Sequence, residues 1–424
     1  MRKKFEYKWV ILILCFLVIF CSLGFCSGTK SLYLNSITGY LNIPRSLFSI
    51  NDSIRFITTA VLSVFFGALY SKFGARKLIA LGFLCLTGSC LVYSFAENIF
   101  AFYAGGFLLG TGLAFCSSTM TGLIISHWFK TRLGTYTGLV LAANGLGTAV
   151  ISQFLEPMID SAPDGYKNAY RFTALLLLII GAAVVILLRE KPEAKKQPLP
   201  PKKRPQRSAA WVGMSLRDAR RKPYFYVLLV WMFMSGAVLQ SVSGVAIPHI
   251  RDVVLTGADP AFDSAFITTA LGLHAIVLTA AKFLSGVSYD HLGMRWTMLV
   301  IHLIALGSTV MLVMVQSGTY TLAFIYEILG SFAMPLETII PFLIISDLFG
   351  EKEYAHILGV STAVLFLGFA AGTPLTNLVY DKLGTYRPAL YVIIGLLLFM
   401  TVSVQWVLVK GEKVKREILA RGAD

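Results

Sequence analysis

The sequence predicts an all-α integral membrane protein with twelve transmembrane helices in two pseudo-symmetric six-helix bundles. Three observations carry that prediction. The 424 residues are 56% hydrophobic and only 14% charged, with a mean hydropathy of +0.72. That balance is far too apolar for a water-soluble domain of ordinary composition. Apolar windows of the ~20 residues needed to cross a bilayer recur from Trp9 almost to the C-terminus, separated by short polar punctuation. The punctuation of the first half also returns in the second at a nearly constant offset.

In chain order the spans fall at 9–34, 47–70, 77–95, 99–127, 134–155, 169–188, 224–247, 265–289, 296–316, 319–346, 355–379 and 389–409. The basic cluster Arg2, Lys3, Lys4 precedes a long apolar run with no small-residue cleavage site after it, so the first span is expected to be retained. Residues 1–188 form the expected N-terminal bundle and 223–409 the C-terminal bundle. Between them, 189–222 is a basic cytoplasmic linker, because KPEAKKQPLPPKKRPQR mixes prolines with bases and cannot build a packed core. The end of that linker, SLRDARRKPYFY, predicts a short amphipathic helix leading into span seven, with a regulatory docking segment as the alternative. Residues 410–424 are read as a cytoplasmic tail.

A net charge of +15 raises the question of nucleic acid. With the N-terminus inside, most of the 37 Lys and Arg fall in cytoplasmic segments, which satisfies the positive-inside rule. Topology and attraction to anionic lipid account for the charge, and no nucleic-acid partner is expected. Both termini are placed in the cytoplasm, at the cell membrane. The six cysteines Cys15, Cys21, Cys26, Cys85, Cys90 and Cys116 lie in the first four spans without zinc or disulfide spacing and read as packing residues. There is no GxxxxGK[ST] loop, nucleophile triad spacing or His-rich metal constellation. No enzyme activity, cofactor or metal is therefore expected, and the energy for any work must come from a gradient or from exchange.

The internal repeat rests on three anchors. GALYSKFGAR (Gly67–Arg76) follows span two and GVSYDHLGMR (Gly286–Arg295) follows span eight, and one interval superimposes both glycines and the arginine of the two runs. An interval longer by a single position relates Phe129 to Phe349, after spans four and ten, and Tyr166 to Tyr386, before spans six and twelve. Matching positions relative to the spans argue for duplication.

These residues resemble the major facilitator superfamily over nearly the whole chain. That family's loop signature is similar to Gly67, Lys72, Gly74, Arg76 and Lys77, with Ser71 at the usual Asp position. The second copy, Gly286, Asp290, Gly293 and Arg295, retains the acid, so the charge-relay role the resemblance implies is confined to the second half. The run WFKTRLGTYTGLVLAANGLG is similar to the WF-x-x-(R)RG-x-A-x-G segment of the monocarboxylate porter and oxalate/formate antiporter branch. The resemblance implies an alternating-access carrier, expected here to be a monomer.

A charge at mid-membrane costs roughly 2.5–3.5 kcal/mol on insertion scales, so each one needs a partner, a wet cavity or a function. In or near the spans stand Lys30, Asp52, Arg55, Lys282, Glu327 and Glu337, with His274 and His302. Lys282 lies roughly 10 Å above the cytoplasmic edge of span eight. In the branch it resembles, a cation four residues before the loop glycine is implicated in binding substrate carboxylate, and Lys282 stands at that spacing from Gly286. Arg is usual there, and Lys replaces a bidentate fork with a point charge. Snorkelling is the structural alternative.

Lys30 follows a GF-containing segment, as a lysine does in the monocarboxylate porters, and reads either as an external-gate cation or as a solvated helix end. Arg55 is too deep for easy snorkelling, with Asp52 three residues earlier on the same face. A local ion pair and a cavity role are both open, and its repeat equivalent is His274. Glu337, between Pro335 and Pro341 in a helix expected to kink, is the first candidate for proton coupling, with Glu327 second. A structural Lys282–Glu337 salt bridge is the alternative, and Leu278 stands where the branch often carries its acid. Asn144, in the ANGLG segment whose glycines permit close helix approach, joins the substrate-binding set.

The expected function is secondary active transport of a small organic anion, a mono- or dicarboxylate, by proton symport or anion exchange. A carrier of neutral or cationic solutes, including drug efflux, is the alternative within transport. A membrane sensor that moves nothing is the alternative outside it.

Overall fold

Hydrocarbon offers no hydrogen bonds, so every backbone N–H and C=O in a span must find its partner within the protein, and helices result. The computed structural model describes residues 7–129, 133–189, 213–350 and 352–421, so 130–132 of the WFKTRLG run and most of the linker lie outside the described residues. Among the described residues there is no strand, only an isolated bridge between Gly213 and Gly350. Among the same residues ten helices are long and apolar enough to cross a membrane, and a bent pair, Tyr320–Thr338 with Ile340–Phe349, makes an eleventh span. The helix Pro260–Met314 runs for 55 residues but turns at Gly293 (φ 76°, ψ 170°). At ~1.5 Å per residue it is more than twice as long as a bilayer core is thick, so it holds spans eight and nine. The twelve spans predicted are thereby present.

Their boundaries differ from the apolar windows where polar residues enter a helix. Span one runs from Lys8 to Leu41 rather than over 9–34, because its helix breaks and restarts. Lys8–Ile19 passes into a π-helical turn, Phe20–Phe25, and the chain resumes as Lys30–Leu41. Span two is Arg45–Phe73, span three Ala75–Phe95, and span four is two helices, Ile99–Phe115 and Ser118–Trp128. Span five, Leu133–Asp160, extends past 155 and takes in Glu156, which is fully buried. Span six is Gly165–Leu187 and span seven Pro223–Val253. Span ten comprises Tyr320–Ser331, Pro335–Thr338 and Ile340–Phe349. Span eleven is Tyr354–Leu383. Span twelve, Arg387–Arg421, is one helix through most of the segment read as a tail. The short helix expected before span seven is one turn, Leu216–Ala219, capped by the Ser215 hydroxyl on the Asp218 N–H.

The chain divides into two compact units, one of Met1–Lys202 with Leu255–Thr279, the other of Lys203–Val254 with Ala280–Asp424. The first half of span eight thus groups with spans one to six. Its backbone lies against span five, where a Cβ on Gly145 would come within 2.1 Å of the Ala275 carbonyl oxygen.

Within each unit the repeat reappears as geometry. Gly74 (φ 79°, ψ 166°) and Gly293 (φ 76°, ψ 170°) make the same turn in a region that favours glycine. After the first turn, Arg76 donates from Nε to the Val185 carbonyl at 2.7 Å and from Nη2 to that of Ile186 at 3.4 Å. After the second, Arg295 donates from Nε to Gln405 Oε1 at 3.3 Å, and Gln405 donates back to the Arg295 carbonyl at 3.1 Å. The interval that carries Arg76 onto Arg295 also carries Ile186 onto Gln405, so each loop arginine ties down the last span of its own half. Phe129 packs on Trp9 of span one, ring centroids 5.8 Å apart, and Phe349 on Phe225 of span seven at 5.7 Å.

The deepest correspondence lies at the breaks. Span four interrupts its helix at Cys116, and the Ser22 hydroxyl of span one donates to the freed carbonyl at 2.7 Å. Span ten is interrupted around Leu336, which the interval relating Phe129 to Phe349 pairs with Cys116. There the Ser235 hydroxyl of span seven donates to the Leu336 carbonyl at 2.9 Å.

Close backbone approach fixes the polar residues of the first unit. A Cβ on Gly110 of span four would lie 2.5 Å from the Arg55 carbonyl oxygen and 2.8 Å from Thr58 Cβ. The Thr59 hydroxyl bridges the two helices, with the Arg55 carbonyl at 2.9 Å and that of Gly110 at 3.0 Å. In the second unit His302, a candidate from the sequence, is structural. Trp231 Nε1–H donates to its Nε2 at 3.2 Å and Nδ1 faces the Met298 carbonyl at 2.7 Å, which makes it a neutral Nδ1–H imidazole with both nitrogens used.

Two outcomes follow from this packing. Gly110→Ala is expected to lower stability by ~1–3 kcal/mol through overpacking against Arg55, read as a lower unfolding midpoint of purified protein in detergent. An unchanged midpoint refutes the close approach. His302→Leu strands the Trp231 N–H, and the same measurement should show a loss of roughly 1–3 kcal/mol.

Candidate substrate and ion site

Two groups of charged residues stand at or beside helix breaks, one in each unit. In the first, the π-helical turn of span one and the restart at Lys30 place Lys30 inside the span, well before its end at Leu41, and not at an outer helix end as the apolar window suggested. The break is covered by side chains. Thr29 donates to the Phe25 carbonyl at 2.6 Å and Thr148 of span five to that of Gly24 at 3.2 Å. Lys30 Nζ pairs with Asp52 Oδ1, and Arg55 Nη2 reaches the same oxygen at 3.1 Å. Arg55 Nη1 donates to Ser27 Oγ, in the broken turn, at 2.8 Å, and its guanidinium lies 4.1 Å from the Phe56 ring centroid.

The local ion pair read from the i,i+3 spacing of Asp52 and Arg55 is therefore present, and it is wider than the sequence implied because one carboxylate serves two cations. The Arg55 side chain is 5% exposed, Lys30 16% and Asp52 22%. Arg55 Nε–H is buried and has no hydrogen-bond partner among the described residues. Burial of a guanidinium with one donor unmet costs about 1–3 kcal/mol unless a ligand completes it.

In the second unit, the interrupted span ten places Glu337 in the four-residue turn Pro335–Thr338, with the helix bent by 43° before Ile340. The two prolines flanking Glu337 account for the bend, since neither donates a backbone hydrogen bond. Gln240 of span seven donates to Glu337 Oε1 at 3.5 Å, while Oε2 is buried with no hydrogen-bond partner among the described residues. Lys282 of span eight is half-buried, and Glu337 is its electrostatic neighbour. No ion pair closes between them among the described residues, so the structural salt bridge considered from the sequence is not formed.

The remaining candidates are dispersed. Glu327 is buried in the helix of span ten that precedes the break. His274 groups with the first unit but is not among the partners of Arg55, which are Asp52, Ser27 and Phe56. Asn144 offers its carbonyl to the Thr148 hydroxyl at 3.1 Å, and its side chain makes no hydrogen bond to the charged group. The loop residues Gly67, Gly74, Arg76, Gly286, Asp290, Gly293 and Arg295 lie at the ends of spans two, three, eight and nine, with Asp290 exposed.

Ser27 and Gln240, which touch the key charges, carried no signal in the sequence, being neutral residues among many. Glu156 was overlooked because it follows the apolar window of span five.

Comparison with known proteins agrees with this architecture. The Major Facilitator Superfamily model matches residues 12–253 and 237–423. An uncharacterized MFS-type transporter, YcxA, of Bacillus subtilis is 28% identical over 179 residues, 42% of this chain and 43% of that protein. A nitrite extrusion protein of the same organism is 31% identical over 143 residues, 34% of this chain and 35% of that protein. The chain therefore spans less than half the length of these curated relatives. Among solved structures, a variant of the nucleoside transporter NupG superposes with a TM-score of 0.77 at 12% identity, covering 95% of this chain and 100% of that one. A bacterial homolog of the human lysosomal transporter Spinster gives 0.65 at 12% identity, covering 99% and 98%. Both likenesses are of fold. With its family model matched across both halves, this chain belongs to the Major Facilitator Superfamily and is a multi-pass membrane protein.

Proposed function

We propose that the protein carries a small anion across the cell membrane by alternating access, with Arg55, Lys30 and Lys282 as the attracting cations and Glu337 as the proton-coupling group. The observation that carries this reading is a deeply buried Arg55 whose Nε–H donor is unmet, held beside the break of span one. Discontinuous spans are where carriers of this kind recruit polar ligands, because irregular backbone is tolerated only in protein or in a wet cavity. An arginine with a free donor suits a carboxylate or a similar planar oxyanion. The name of one relative, a nitrite extrusion protein, also points to an anion. The loop similarity to the monocarboxylate and oxalate/formate branch supports a carboxylate within that class.

Glu337 is buried with one oxygen unpartnered beside a cation that it does not grip, an arrangement suited to gaining and losing a proton. His274, Asn144 and Glu327 are secondary candidates in this scheme. The protein is read as a monomer with cytoplasmic termini.

Purified protein in liposomes, screened with radiolabelled acetate, lactate, oxalate and succinate and with nitrite, should move at least one of them. Arg55→Ala and Lys282→Ala are each expected to cut that flux by about tenfold or more, as loss of a charge-assisted contact predicts. Intact anion flux in both variants refutes the binding role of these cations, and no flux of any of the anions points instead to a neutral or cationic solute. Glu337→Gln should abolish uptake driven by a pH gradient while sparing exchange, and unchanged pH-driven uptake refutes its coupling role.

A further inference from the structure

The first unit's charged group has a definite count. Asp52 contacts both Lys30 and Arg55, and none of the three has a further ionic partner among the described residues. Two cations and one carboxylate leave a single positive charge in this group, while Lys282 of the second unit has the Glu337 carboxylate as its own electrostatic neighbour. The carboxylate is spent on both cations through one oxygen, Oδ1, and the Arg55 Nη1 is held by Ser27, so each cation is already oriented. Spare capacity remains at Arg55 Nε–H and at the ammonium of Lys30, which can donate three hydrogen bonds and uses one on Asp52. Lys30 and Asp52 are the more exposed side chains of the group and Arg55 the most buried. An incoming anion can thus join the group without displacing Asp52.

Resting on the anion reading above, we propose that Asp52 sets the charge of the transported anion, selecting monovalent over divalent species. One negative charge brings the group to neutrality, the least costly state for a cluster removed from water. A dianion leaves it with an excess negative charge beside the Asp52 carboxylate. Asp52 is a positioning residue in this scheme. It holds Lys30 and Arg55 in place and subtracts one charge from them, and the substrate engages the cations.

The experiment compares uptake of labelled lactate, acetate and nitrite with that of oxalate and succinate, near neutral pH, in proteoliposomes of the full chain. The wild type is expected to prefer the monovalent anions by about tenfold or more, and Asp52→Asn to lose or reverse that preference by a similar factor. The ratio is internal to each preparation, so a lower yield of folded protein does not alter it. Asp52→Glu should keep the preference. The double variant Lys30→Met with Asp52→Asn returns the group to one positive charge, so it should prefer monovalent anions again and provides the test if Asp52→Asn alone does not fold. A wild-type preference for dianions, an Asp52→Asn ratio equal to the wild type's, or a double variant that favours dianions overturns the inference while leaving anion transport standing. Absence of flux for every anion removes the anion reading, and this inference with it.

Discussion

Hydrocarbon cannot hydrogen-bond a peptide group, and most of this structure follows from how that constraint is met where the helices fail. Long spans satisfy their own backbone. The three interrupted spans do not, and each break is met by a hydroxyl. Ser22 serves the Cys116 carbonyl, Ser235 serves that of Leu336, and Thr29 and Thr148 serve the turn that follows the π-helical segment of span one. In both halves the donor comes from the first span and the acceptor from the fourth, so the duplicated chain has kept the support of its break along with the break. The loop arginines repeat the logic at the membrane edge, where Arg76 and Arg295 each secure the last span of their half.

On this shared frame the charges are unlike. The first unit holds a closed cluster, two cations on one carboxylate, with one arginine donor to spare. The second holds an open pair, Lys282 and Glu337, near one another but not bonded, with Gln240 at the edge of reach. A closed cluster keeps a nearly constant charge as long as its members stay in contact. An open pair can change charge by one proton at small structural cost. That difference is the physical basis for the proposal that gives the Asp52-bound cations to anion recognition and Glu337 to coupling.

The fold was legible because it depends on composition. Twelve apolar windows, one-sided basic residues and punctuation repeated at a nearly constant interval need no knowledge of which helix touches which. The errors in the reading share one cause. Span one was ended at 34 and span five at 155 because a window sees polarity and not partners, so it stopped at residues the folded protein buries, Glu156 among them. His302 stood among the site candidates and is a neutral link between Trp231 and the Met298 carbonyl.

By itself, then, the sequence determined the solvent, the number of spans, the duplication and the short roster of intramembrane charges, since each follows from residue type and spacing along the chain. Only the tertiary structure decided which of those charges meet. Lys30 and Asp52 are brought together by a helix break that no residue pattern announced, while Lys282 and Glu337 close no ion pair among the described residues. Contact between groups on different spans depends on angles and distances of packing set by the whole unit, and a linear pattern carries no measure of them.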